Sequence, residues 1–187
     1  MKLDVITKKQ DEYYTPAYAV EPILKYVPYG SVVWCPFDTE DSLFVQMLRD
    51  KGCRIIATHI WNQQDFFTIE NECEYIISNP PYSLKNEVFD RLFSLGKPFA
   101  MLVGVVGLFE SQKRFDLFRN NRFEIMYLNR RVSYFKDYTD AKPTLNPPFS
   151  SVYLTSRMLP EKIMFEEICK RNITNKCTGL QTAQPVI

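Results

Sequence analysis

Tyr75-Ile76-Ile77-Ser78-Asn79-Pro80-Pro81-Tyr82 decides the reading of this chain. An apolar, β-branched run of this length predicts a buried strand over 75–78. The residues from Leu84 to Ser94 carry helical spacing and end at Gly96-Lys97-Pro98, so a helix follows. Asn79 to Tyr82 then falls at the carboxyl end of a strand, where open α/β sheets place their ligands. Pro80 and Pro81 donate no backbone hydrogen bond and hold the chain extended. The Pro80 carbonyl and the Asn79 side-chain carbonyl are left as acceptors beside the aromatic face of Tyr82. Such a group can accept both hydrogens of a planar amine while the ring stacks on the base that carries it.

The rest of the chain repeats the same alternation. Strands are predicted over 31–35, 54–58, 99–105 and 123–128. Helices are predicted over 17–27, 42–51 and 108–118, with Thr15 as cap and Pro16 in the first turn of the earliest. Too few residues separate Thr58 from Glu72 for a full helix, so that segment is expected to hold at most one helical turn, with a short strand near Phe67. A terminal helix is predicted over 161–170. Strand, helix, strand units in succession define a doubly wound α/β sheet. The 187 residues suit a single domain, with loose segments at 1–12 and 174–187.

Composition narrows the functional classes. No apolar run approaches the roughly eighteen residues of a membrane span, and the first residues lack a signal core, so a cytoplasmic protein without a membrane partner is expected. The five cysteines are widely spaced and the only histidine is His59, which argues against a metal site or a disulfide framework. Net charge is +1, yet it is unevenly spread. Nine acids face four bases between Glu21 and Asn79, whereas eight bases face four acids between Ser111 and Lys142. A cationic cofactor suits the first region and a polyanion the second.

Asn79-Pro80-Pro81-Tyr82 resembles the catalytic motif of the amino-methyltransferases, written Asn/Asp-Pro-Pro-Tyr/Phe. The chain is similar in motif order to small phage-type DNA adenine-N6 methyltransferases, which implies a Rossmann-like sheet, mostly parallel with an antiparallel last strand. The stretch 147–154 resembles that last strand. In that resemblance Asn79, Pro80 and Tyr82 are catalytic. Tyr13-Tyr14-Thr15-Pro16 resembles the segment lining the methionine end of S-adenosylmethionine, giving Tyr14, Thr15 and Pro16 as cofactor contacts. Phe37 and Asp38 stand in the first cofactor loop, although Cys35 replaces its leading Asp and Thr39-Glu40-Asp41 its glycines. Asp65 and Phe66 resemble the pair that holds the cofactor's adenine. The acid that normally holds the ribose is replaced by His59-Ile60-Trp61.

The resemblance further implies nucleic acid, expected to be DNA, as partner. Arg130 and Arg131 are expected on its phosphates because they lie in the basic segment that should face the substrate cleft. RNA adenine, a protein glutamine amide, or a non-catalytic binding role on the same fold are the alternatives. The oligomeric state and target sequence are left open. Asn146-Pro147-Pro148-Phe149 fits the same four-residue pattern, but it precedes a strand and follows a turn-rich stretch, so it is read as a loop.

Overall fold

A computed structural model describes residues 13–170. The segments expected to be loose, 1–12 and 174–187, lie outside the described residues. Seven strands form one sheet in the order β2-β1-β3-β4-β6-β5-β7. They span Val32–Cys35 (β1), Arg54–Ala57 (β2), Tyr75–Ser78 (β3), Phe99–Gly104 (β4), Glu124–Leu128 (β5), Ser151–Ser156 (β6) and Ile163–Glu166 (β7). β6 runs antiparallel to both its neighbours, β4 and β5, and the other pairings are parallel. Strand order reverses between β1 and β3. The crevice outside their carboxyl ends is therefore the topological switch point.

Helices cover both faces. Ala17–Leu24 (α1) and Leu43–Asp50 (α2) lie on one side, where Tyr18, Ile23, Phe44 and Leu48 pack with Val33, Ile77, Leu102 and Tyr153. Lys85–Leu95 (α3) and Gln112–Asn120 (α4) lie on the other, where Val88, Phe89, Leu92 and Phe118 pack with Trp34, Ile76, Met101 and Leu154. Alternate residues of β1, β3 and β4 thus enter opposite layers, and every residue of β4 is buried. Among the described residues no helix is long and apolar enough to cross a membrane.

Several expectations are corrected. Pro16, not Thr15, occupies the cap position of α1, and it makes no side-chain cap bond. That helix ends at Leu24 because its last turn tightens, with Tyr26 and Val27 donating to carbonyls three residues back. As its length predicts, the stretch after β2 holds only a 3-10 turn, Ile60–Asn62, but residues 66–68 form a turn in place of the short strand. Asp65 causes that turn: its Oδ1 accepts from the backbone N of Phe67 at 2.9 Å. α4 starts later than its apolar spacing suggests, at the Ser111 cap, whose hydroxyl accepts from Arg114 N at 3.2 Å. The predicted terminal helix is instead β7, paired in parallel with β5 from Ile125↔Ile163 to Leu128↔Glu166.

Candidate active site

The site is built where β1, β3, β4 and β5 end and β6 begins. Asn79 leaves β3, and its side-chain amide is held from the N-terminal segment. Nδ2 donates to the Tyr13 carbonyl at 2.7 Å and to Thr15 Oγ1 at 3.2 Å. The opposite atom, Oδ1, is buried and has no hydrogen-bond partner among the described residues. Leaving a buried acceptor unpaired costs on the order of 1–3 kcal/mol, so such an atom in a folded protein calls for an explanation. Pro80 is buried behind it.

Aromatic rings gather around Tyr82, three residues further on. The Tyr13 ring stacks on Tyr82 with centroids 5.1 Å apart and 23° between planes, while Phe149 approaches Tyr82 at 5.2 Å. The Tyr82 hydroxyl shares a hydrogen bond with that of Tyr134 at 3.1 Å, which in turn shares one with Ser151 at 2.7 Å. This chain of hydroxyls fixes the plane of the Tyr82 ring. Burial pushes the Tyr82 phenol well above its ordinary range and that of Tyr134 up to about 12, so both stay neutral. Lys85 places its ammonium 5.3 Å from the Tyr82 ring centre and donates to the carbonyls of Gly104 and Val106 at 3.2 Å.

Phe149 was not legible as a site residue. It belongs to the second Asn-Pro-Pro stretch, which is a loop as its turn-rich surroundings suggest, yet antiparallel β6 returns that loop to the end of β4. There Gly104 makes room for it: a Cβ on residue 104 would lie 2.8 Å from the Phe149 ring. The only signal in the sequence was the repeat of the motif itself. Tyr13, Tyr134 and Tyr138 were likewise not singled out, although Tyr13 opens the segment whose resemblance to a cofactor-lining one was noted.

The residues read as cofactor contacts divide into two groups. At the first loop, Asp38 is turned inward, 8% exposed, and its carboxylate accepts from the hydroxyls of Ser42 and Ser78. Burial pushes its carboxyl up to about 6 against the downward pull of those two bonds. Glu40 points outward and pairs with Arg49 at 2.7 Å. Tyr138 closes the same region, accepting from Leu43 N and donating to the Thr15 carbonyl, with Tyr14 edge-on to it at 4.9 Å. At the second group, Phe37 is partly exposed and meets Phe66 at 4.9 Å. Phe66 itself is sequestered at 2% exposure between Trp34, Phe67 and the Arg91 guanidinium. Asp65 keeps one carboxylate oxygen beyond the bond to Phe67. His59 accepts from Trp61 N through Nδ1 at 3.2 Å, and burial lowers its pKa, so it is a neutral ring.

β5 is parallel to β4, so Asn129-Arg130-Arg131 emerge on the same edge as Asn79, and both arginines are exposed. The bridge Tyr14–Phe135 ties this loop to the N-terminal segment through Phe135 N to Tyr14 O at 2.9 Å.

Sheet order, the antiparallel β6 and the ligand crevice at the switch point define a Rossmann-like methyltransferase fold. No family model matches the chain, and no curated protein does. Among solved structures, it is similar to a modification subunit of a putative type I restriction enzyme from Vibrio vulnificus YJ016, with a TM-score of 0.57 and 10% identity over 91% of this chain. The chain spans 50% of that subunit's length. A precorrin-6y C5,15-methyltransferase from Geobacter metallireducens GS-15 aligns over 81% of this chain and 95% of its own at 10% identity and a TM-score of 0.43. At these identities the likeness to the restriction subunit is one of fold.

Proposed function

We propose that this protein is an S-adenosylmethionine-dependent methyltransferase acting on adenine N6 in nucleic acid, with DNA as the favoured substrate. The observation that carries the reading is the Asn79 amide, oriented through Nδ2 and left with a buried, unpartnered Oδ1. In this reading Asn79 Oδ1 and the Pro80 carbonyl accept the two hydrogens of the amino group, which turns the nitrogen lone pair outward for in-line attack. Tyr82 stacks on the base in place of the Tyr13 ring that covers it in this structure, and Phe149 lines the pocket at an angle to it. Because an adenine in a duplex cannot reach such a pocket, the target is single-stranded or flipped out. Arg130 and Arg131 contact phosphates beside it. The fold neighbour's description as a restriction-enzyme modification subunit favours DNA over RNA.

S-adenosylmethionine, when bound, supplies an electrophilic methyl group. The residues suit it best at the adenosine end, where the remaining Asp65 oxygen can accept from an amino group and Phe37, backed by Phe66, offers an apolar wall. Tyr14 and Pro16 close the other end, while Thr15, 1% exposed, is engaged with Asn79 instead. Asp38 meets a cationic group only in competition with its two serines.

That last feature favours a second reading, a methyltransferase-fold protein that binds nucleic acid without catalysis. The test is incubation with S-adenosylmethionine and three acceptors: single-stranded DNA, the matching RNA, and a glutamine peptide. Mass spectrometry is expected to find N6-methyladenine in the DNA. A methylated glutamine would move the substrate class, and no cofactor binding by calorimetry would leave the non-catalytic reading.

A further inference from the structure

We infer that Thr15 is a positioning residue for the Asn79 amide; this inference rests on the proposed amino-methyl transfer and adds to it. Thr15 is 1% exposed and its side chain caps no helix, since α1 takes Pro16 at its cap. Its Oγ1 accepts from Asn79 Nδ2 at 3.2 Å, 64 residues away in sequence.

An asparagine amide has two faces of opposite polarity, and only one suits the reaction. With Nδ2 turned toward the substrate, the group would offer hydrogens to an amine that is itself a donor. The Tyr13 carbonyl can only accept, so a turned amide would set Oδ1 against it and lose the 2.7 Å bond. Thr15 occupies the second Nδ2 hydrogen. Together they leave Oδ1, buried and unpaired, as the atom turned away from the N-terminal segment. Thr15 is itself braced, with its carbonyl accepting from Tyr138 Oη at 3.4 Å and the preceding residue bridged to Phe135. The basic loop after β5 and the reacting amide are thereby joined through three residues of the N-terminal segment.

Thr15→Val removes the hydroxyl at nearly constant shape, and Thr15→Ser restores it. Loss of one hydrogen bond is expected to lower kcat on the order of tenfold in the valine variant, with KM and cofactor affinity within about twofold of the parent. Serine should recover most of the rate. The side-chain amide protons of Asn79, followed by NMR in the whole chain, give a readout independent of activity. One of the two should shift in Thr15→Val and return in Thr15→Ser. Unchanged Asn79 amide resonances and an unchanged kcat in Thr15→Val would overturn the assignment. So would a loss of cofactor affinity with kcat intact, which would make Thr15 a cofactor contact. If the parent protein transfers no methyl group, the proposed function fails, and the NMR comparison alone decides the positioning role.

Discussion

Ser78 donates its hydroxyl hydrogen to the carboxylate of Asp38, joining the last residue of β3 to the loop that follows β1. Ser42 donates to the other carboxylate oxygen. One buried acid thus locks the two strand ends that flank the switch point. Its titration is therefore a reporter of the crevice.

Burial lifts the Asp38 carboxyl from 3.8 to about 6. Between those values the folded chain holds a proton that the unfolded chain has released, so the group's stabilising contribution is complete below about pH 4. It declines as pH rises toward 6 and is gone above it. Cys35 and Tyr138, which face the carboxylate, have their own pKa values pushed upward and stay uncharged over this interval. Asp38→Asn should remove the dependence, giving a difference on the order of 2–3 kcal/mol between the two proteins' pH profiles. Urea midpoints at pH 4.5 and pH 7 check it. Parallel profiles would mean that Asp38 is more hydrated than its burial indicates.

Gly104→Ala tests the aromatic wall. The added methyl would stand 2.8 Å from the Phe149 ring, so the ring must move, while the backbone at 104 accepts alanine without left-handed strain. Overpacking of this kind costs about 1–3 kcal/mol. We expect a small fall in melting temperature and a roughly tenfold loss in kcat/KM for the nucleic acid, with cofactor binding unchanged. Unchanged turnover would take Phe149 out of the site.

Arg130 and Arg131 form the third test. Replacing both with alanine should weaken binding to single-stranded DNA and reduce the slope of log K against log salt by roughly 1.4, the share of two phosphate contacts. An unchanged slope would assign both side chains to solvent.

Much of this fold was legible because its signals are local. Ile76-Ile77 ahead of Asn79-Pro80-Pro81 marks both a strand and its end, and Gly52 and Gly96 close the helices before β2 and β4. The short stretch after β2 excluded a full helix by length alone. β7 was not legible: Ile163-Met164-Phe165 fits helix or strand equally, and its state is decided by pairing with Ile125 and its neighbours, which no local pattern shows. Phe149 and Tyr134 were missed for a related reason. Their place at the site comes from β6 running back antiparallel beside β4, a tertiary fact. Thr15 was read as a cap because a cap and an anchor for a distant amide use the same hydroxyl.

The most direct test of the central claim is single-turnover methyl transfer by Asn79→Ala, run beside calorimetry of cofactor binding. Removing the acceptor should abolish transfer to single-stranded DNA while the melting temperature and S-adenosylmethionine affinity stay close to those of the parent. A variant that binds the cofactor and retains most of the parent's single-turnover rate would contradict the assignment of Asn79 as the group that holds the reacting amine.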